Sequence, residues 1–398
     1  MNEGEAIKAI ESLRKGIPPD GHVRHFTVGR ESEINQLVVR LQEQHTGALL
    51  LKANYGSGKS HLLRFLRETA LNEGYAVTTV TLDARSAVRF NKMNQIVGAI
   101  WRGLEVPGAP GERGIRPFFN FISKSIEDSR KRNDTQSFWY QLTSKWEWDY
   151  SEALDSPAFF IALRAWKFGG GAVHDKIQDW FFQPWVYQTQ RKQLYEVLVE
   201  DLRRYFRDPR QYRQFYEDDV FAFDRQGYQQ SWAVLRDAQR LALASGLKGF
   251  IILFDEFEDV LTNLNNIAHQ EAAFWNLFQF YSGKQFPSMT FFAVTPQFVT
   301  KCKWLLQQRG RWDYDYSRFD DLPTFAMSPL EQGHLEVLAL RIAKAHGTAY
   351  GWQPESTMTA AQLQAVVTKA AAVQVQDRAR HTIREVVTAL DRLLEDGQ

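Results

Sequence analysis

The sequence predicts an α/β fold in which helices cover a parallel β-sheet. Three apolar runs of strand length, residues 48–51, 249–254 and 289–294, predict the sheet, because polar or turn-forming residues follow each of them within two positions. Apolar residues then recur at helical spacing after the first run, at Leu62, Leu63, Phe65, Leu66 and Ala70. A buried strand, a polar loop and a helix in this order form the repeating unit of a parallel sheet.

The loop after the first strand has the pattern of a phosphate-binding loop. Its residues 53–60 are Ala-Asn-Tyr-Gly-Ser-Gly-Lys-Ser, with an alanine at the first position where such loops have glycine. Gly56 and Gly58 allow successive N–H groups to face phosphate oxygens, in front of the positive end of the helix dipole. Lys59 is expected to reach the β and γ phosphates, and the Ser60 hydroxyl to coordinate Mg²⁺. The alternative is an ordinary strand-to-helix turn with a solvated lysine.

We therefore predict a nucleoside triphosphate site with ATP and Mg²⁺ as cofactors. The predicted nucleotide-binding residues are Asn54, Tyr55, Gly56, Ser57, Gly58, Lys59, Ser60 and His61.

Two carboxylates follow the second strand. Asp255 is predicted to hold Mg²⁺ together with Ser60, mostly through water. Glu256 is predicted to polarise the attacking water, a role that separates an ATP hydrolase from a protein that only binds nucleotide. The alternative is a strand that ends by chance in an acidic turn.

The third strand ends at Thr295, before Pro296. A polar side chain at this place is predicted to position the water or to contact the γ phosphate, although a Thr-Pro pair after a strand is often only a turn.

The order of these elements predicts a large insertion. Ser60 and Asp255 are much farther apart in sequence than one crossover connection requires. We expect a mainly helical insertion over residues 108–240, rich in aromatic residues that form its core, with a partner surface as the alternative. The predicted domains are 1–107 (N-terminal helices and the first part of the core), 108–240 (the insertion), 241–327 (the second part of the core) and 328–398 (a helical lid).

Two arginines are candidates for contacts with the γ phosphate. Arg318 precedes a predicted last strand at residues 324–327, and in a homo-oligomer it could reach across to a neighbour's nucleotide. Arg309 and Arg311 are alternatives for this role. Arg380, near the start of the last helix, is the arginine that the lid is predicted to supply.

Composition limits the remaining classes of function. The chain has 398 residues, a net charge of +1, a single cysteine and no apolar run long enough to span a bilayer. These features predict a cytoplasmic protein without membrane contact. Residues 191–213 combine arginines with aromatic residues, a pattern that suits single-stranded nucleic acid but is more typical of an amphipathic helix. DNA is therefore a possible partner that composition neither requires nor excludes.

Several of these motifs together resemble a known family. Gly29-Arg30-Glu31, the strand that ends in Asp255-Glu256, the Thr295 strand end, Arg318-Phe319-Asp320 and the helical lid resemble the AAA+ P-loop ATPases of the origin-recognition type.

More narrowly, residues 6–18, 55–64 and 246–258 resemble the ATP-binding protein of bacterial BREX phage-defence systems. The resemblance implies that Thr295 is a first sensor and Arg380 a second one. It further implies an ATPase that acts in a DNA-directed defence complex, with other defence proteins such as a helicase as partners. The similarity is loose through the aromatic insertion.

The sequence thus predicts a magnesium-dependent ATP hydrolase. One alternative is a nucleotide-gated adaptor, in which ATP binding assembles partners and turnover is incidental. Another is a small-molecule kinase, for which the sequence shows no acceptor-binding residues.

Overall fold

The strands form a single mostly parallel sheet. The computed structural model describes residues 1–43, 46–83, 88–144, 153–183, 214, 220–224, 226–260, 264, 266–311, 314–375 and 377–396. Within these residues six strands pair in the order β3-β2-β4-β5-β1-β6, and only the β2–β3 pair is antiparallel. The strands are β1 (Gly47–Lys52), β2 (Ala76–Thr81), β3 (Leu104–Glu105), β4 (Phe250–Asp255), β5 (Met289–Val294) and β6 (Thr324–Ala326).

The α-helices of the described residues follow in chain order. They are α1 (Glu3–Arg14), α2 (Glu31–Gln42), α3 (Lys59–Asn72), α4 (Met93–Gly103), α5 (Ile115–Lys131), α6 (Phe138–Ser144), α7 (Pro157–Phe168), α8 (Gly171–Phe182), α9 (Gln229–Ala244), α10 (Ile267–Ser282), α11 (Phe298–Gln308), α12 (Ser317–Asp320), α13 (Gln332–Tyr350), α14 (Pro354–Thr357), α15 (Ala360–Ala370) and α16 (Arg378–Asp396). The prediction of an α/β fold is confirmed.

Both faces of the sheet are covered, which explains why its strands are apolar without alternation. Leu50, Ile252 and Phe292 point to one face, where they join a core formed with α4 and the inserted helices. Their chain neighbours Leu51 and Ile251 point to the other face and pack against α2 and α3. Successive side chains of a strand point to opposite faces, so each strand contributes to both cores.

The described aromatic residues of the predicted insertion belong largely to a core. Trp101 of α4 stacks on Phe250 of β4 with ring centroids 6.2 Å apart, and it also contacts Phe159 and Phe181 from the inserted helices. Trp180 is only 1% exposed. The insertion is therefore anchored on the sheet through aromatic contacts. The aromatic residues at 146, 148, 184 and 185 and the basic segment 191–213 lie outside the described residues.

The N-terminal helix belongs to the same layer as the C-terminal helices. Apolar residues of α1 share a hydrophobic cluster with α13, α15 and α16. Arg14 of α1 donates to both carboxylate oxygens of Asp391 in α16, at 3.0 and 2.8 Å. His346 of α13, which is fully buried, lies 3.0 Å from the same carboxylate. The helical lid predicted for the C-terminus thus contains the first helix of the chain as well.

No helix among the described residues is long and apolar enough to cross a membrane. The three predicted boundaries between the four domains stay a prediction.

Candidate functional site

Three predicted site segments meet at one edge of the sheet. β5 lies between β1 and β4, with Lys52 opposite Val294 and Phe254 opposite Phe292. In parallel strands the carboxyl ends share an edge, so the phosphate loop, Thr295 and Asp255 emerge side by side. Thr295 lies between the other two along this edge.

The loop itself has the geometry that its glycines predict. Gly56 and Gly58 have φ values of 70° and 95°, in the left-handed region that favours glycine. Gly58 caps α3, which begins at Lys59. Ala53 is buried and does not have a positive φ, so the first loop position has no need of glycine in this chain.

A cleft opens in front of the loop, between the sheet edge and the lid layer. All eight predicted nucleotide-binding residues, Asn54 to His61, line it together with Asp255, Glu256 and Arg380. The structure therefore brings these predicted residues together in one place.

Lys59 is buried at the base of this cleft. Its Nζ donates to the carbonyl oxygen of Ala53 at 2.9 Å and lies 3.2 Å from Oε1 of Glu258. The Tyr55 ring centroid is 4.8 Å from the same Nζ. The ammonium group is thus held by a carbonyl, a carboxylate and an aromatic face.

The acidic segment after β4 presents its carboxylates in different directions. Oδ1 of Asp255 accepts a hydrogen bond from the Glu256 N–H at 3.0 Å. Glu256 is exposed, and its φ of 56° is in the left-handed region, which is uncommon for a residue other than glycine. Glu258 follows in a short 3₁₀ helix, is 6% exposed and is turned toward Lys59.

Thr295 is buried beside the cleft rather than on its wall. It is 3% exposed, and among the described residues its hydroxyl has no hydrogen-bond partner. Buried hydroxyl groups are normally paired, so this unpaired hydroxyl beside the cleft is unusual.

Arg30 connects the loop with the start of the lid. It is 5% exposed, and its guanidinium donates to the Ser57 carbonyl at 3.0 Å and to the Ser328 carbonyl. The same group pairs with Glu33 at 3.0 Å, and Glu33 accepts from the Ser328 N–H at 3.2 Å. Arg30 therefore bridges the phosphate loop and the segment that leads into α13.

The preceding glycine makes this connection possible. Gly29 has a φ of 58°, and a Cβ at this position would lie 2.5 Å from the His334 ring. Only glycine allows the backbone to pass so close to the first turn of α13.

His61 lies in the first turn of α3 and lines the cleft. Its Nε2 lies 2.8 Å from Oγ1 of Thr27. Burial, with the nearby charges of Arg30 and Arg64, lowers the pKa of His61 from 6.5 to about 4. The imidazole is therefore neutral at physiological pH.

This lowered pKa predicts a loss of stability in acid. Between pH 6.5 and 4 the unfolded chain binds a proton at His61 and the folded protein does not, so the free energy of unfolding falls as the pH falls through this window. We expect the urea midpoint of the wild type to decrease more between pH 7 and pH 5 than that of His61→Gln. His269→Gln removes an exposed imidazole of α10 and should follow the wild type. Equal pH dependence of His61→Gln and wild type would contradict the assignment.

The lid places two arginines beside the phosphate loop. Arg380 is exposed and lines the cleft, and its side chain packs on Gly16, where a Cβ would be 3.1 Å from Arg380 Cγ. Arg378, which the sequence prediction missed, lines a smaller cavity with Asn54, Gly56 and Ser57. Both arginines begin α16, so a movement of this helix moves both.

The arginines predicted to act across a subunit boundary lie outside the cleft. Arg318 of α12 is exposed and packs over the Phe278 ring at 4.1 Å, and Arg311 pairs with Glu271 at 2.8 Å. Arg309 is exposed at the end of α11. None of the three lines the cleft.

The structure adds two further residues that the sequence prediction missed, Glu258 and Arg30. Glu258 lies two residues after the predicted acidic pair, and the run Asp-Glu-Phe-Glu-Asp was the available signal. Arg30 was noted only as part of Gly-Arg-Glu, and nothing in that motif indicates which groups the arginine contacts.

The comparison with protein families agrees with this site. The family model for the BREX system ATP-binding protein BrxC/D matches residues 1–156 and 228–398, which include the phosphate loop, the acidic strand and the lid. The chain belongs to this family. The predicted resemblance is thereby confirmed, and with it an ATP-binding role in BREX defence and a P-loop fold. Searches of curated proteins and of solved structures gave no match.

Proposed function

We propose that this protein is a magnesium-dependent AAA+ ATP hydrolase that couples ATP binding and hydrolysis to a DNA-acting BREX defence complex. The observation that carries the proposal is the cleft that holds Lys59, Asp255 and Glu256 together. Lys59 supplies a cation for the phosphates and Asp255 a ligand for the metal, and the second carboxylate, Glu256, is the group that hydrolysis requires beyond binding.

The phosphate end of the cleft suits a triphosphate. The loop from Asn54 to Ser60 offers backbone N–H groups at the N-terminus of α3, where the helix dipole favours anions. Lys59 adds a positive charge from below the loop. The Ser60 hydroxyl and the Asp255 carboxylate are the oxygen ligands that Mg²⁺ prefers, and both line the cleft. A bound magnesium ion would neutralise charge on the phosphate oxygens.

Glu256 is the proposed general base. Its side chain lines the cleft, and its left-handed backbone costs about 1–2 kcal/mol in a residue other than glycine. Strained backbone of this kind is concentrated at functional sites, where it directs a side chain that the reaction uses. In this role the carboxylate accepts a proton from water as the water attacks the γ phosphate. Thr295, with its unpaired hydroxyl on the neighbouring strand end, is proposed to orient that water.

The opposite end of the cleft suits a base. Its wall is formed by apolar side chains from the first helix, the segment before the phosphate loop and the lid: Leu13, Phe26, Val28, Leu338 and Ile383. Apolar walls with few polar groups are typical of sites for flat aromatic ligands. We therefore place the adenine ring between the lid layer and the sheet edge.

Two arginines are proposed to contact the γ phosphate, one from the same subunit and one from a neighbouring subunit. Arg380 reaches the cleft from the lid of the same subunit. In a homo-oligomer, Arg318 would supply a second positive charge from the neighbouring subunit and stabilise the transition state. Arg30 would transmit the state of the loop to the lid through Ser57 and Ser328.

The coupling to DNA is tested by the rate of phosphate release from ATP by the purified protein. We expect single- or double-stranded DNA, alone or with the partner defence proteins, to raise this rate. Lys59→Ala should show no such response. Bound ATP with a rate equal to that of Lys59→Ala under every condition would refute the hydrolase and favour the nucleotide-gated adaptor.

A further inference from the structure

In the described part of the chain, Glu258 is the only carboxylate within ion-pair distance of Lys59. The two side chains are 8% and 5% exposed, and Lys59 Nζ is 3.2 Å from Glu258 Oε1. The second oxygen, Oε2, is buried and has no hydrogen-bond partner among the described residues. Glu258 thus pairs with Lys59 through Oε1, while Oε2 accepts no hydrogen bond from the described residues.

This pair has a clear electrostatic reason. A buried ammonium group without an anion is strongly destabilising, and Glu258 supplies that anion. The unsatisfied Oε2 shows that the carboxylate gains little from other neighbours at this place. Its contribution to the protein is therefore made mainly through Lys59.

A bound nucleotide would add negative charge close to Lys59. The phosphates would bring several negative charges to Lys59 and would place them near Glu258, which is turned to the same ammonium group. Like charges in a poorly solvated site repel each other, so the carboxylate opposes the entry of the phosphates.

We propose that Glu258 is a positioning residue that pairs with Lys59 and competes with phosphate for it. The inference rests on the proposed binding of phosphates at Lys59. Glu258 would then set the affinity for nucleotide, whereas Glu256 would act as the general base. The competition would keep bound nucleotide exchangeable, because the carboxylate takes the place of the phosphates on the lysine as they leave.

The test is the affinity of Glu258→Gln for ATP, ADP and adenosine, measured by titration calorimetry. The glutamine keeps the size of the side chain and removes its charge. We expect about tenfold tighter binding of ATP and ADP, because the competing charge is gone, and unchanged binding of adenosine, which carries no phosphate. The KM for ATP should decrease together with the dissociation constant.

A remote buried pair provides the matched control. Glu105 is 4% exposed and pairs with Arg67 of α3, away from the cleft. Glu105→Gln should lower stability without any change in ATP affinity. A merely structural role of Glu258 would give the same result as this control, and it would not tighten binding.

A double-mutant cycle on the nucleotide-free protein tests the pair itself. Lys59→Met and Glu258→Gln should each lower the urea midpoint. The decrease in the double variant should be clearly smaller than the sum of the two single decreases, because neither buried charge is then left without its partner. Additive losses would refute the pairing. Weaker or unchanged ATP binding by Glu258→Gln would overturn the proposed competition, and loss of kcat at unchanged affinity would make Glu258 the base instead. Failure of the wild type to bind ATP would refute the proposed site as a whole.

Discussion

Replacement of Glu256 by glutamine is expected to reduce ATP turnover by about a thousandfold and to leave ATP binding nearly unchanged. Glutamine keeps the shape of the side chain but cannot accept the proton of the attacking water. The affinity is retained because the phosphate loop and Lys59 are untouched. Single-turnover phosphate release and calorimetric binding of ATP, measured on the same preparation, check the two parts of this result.

A glutamate outside the cleft provides the control for this replacement. Glu73 lies at the end of α3, where it pairs with Lys248 at 2.7 Å, and it does not line the cleft. Glu73→Gln should therefore turn over ATP as the wild type does. If Glu256→Gln hydrolyses ATP at the normal rate, another group activates the water, and the role assigned to the strained residue is wrong.

Removal of the Lys59 side chain is the second large expected effect. Lys59→Ala should bind ATP about a hundredfold more weakly, because charge-assisted hydrogen bonds to the phosphates contribute about 1.5–3 kcal/mol. Adenosine should bind as it does to the wild type, because the apolar end of the cleft is unchanged. Calorimetric titration with both ligands separates these outcomes.

This variant also leaves Glu258 buried without its cation, which should destabilise the nucleotide-free protein. The binding measurement therefore needs the double variant Lys59→Ala with Glu258→Gln, in which no buried charge is left alone. Lys248→Ala, which removes an exposed lysine, is the control with wild-type affinity. ATP binding by the double variant that equals the wild type would contradict a role for Lys59 in phosphate binding.

The core of this arrangement could be predicted from the sequence because it depends on short-range patterns. The strand before the phosphate loop and the strand that ends at Asp255 are short apolar runs, and the helix after the loop has apolar residues at helical spacing. Parallel strands bring their ends to one edge whatever lies between them in the chain, so Thr295 could be placed near Asp255 in advance.

The remainder depends on contacts that no local pattern encodes. The 3₁₀ helix after Glu256 turns the chain so that Glu258 faces Lys59. Arg30 contacts Ser328, almost three hundred residues later in the chain. The sequence of α1 predicts an ordinary amphipathic helix. Only the tertiary structure shows that it packs against the C-terminal helices.

The central claim is tested most directly by ATP turnover of the purified wild-type protein, with Mg²⁺ and with excess EDTA, beside Glu256→Gln. The proposed function predicts phosphate release that requires Mg²⁺ and is lost in the variant. Bound ATP that is not hydrolysed, or hydrolysis that continues unchanged in Glu256→Gln, would contradict it.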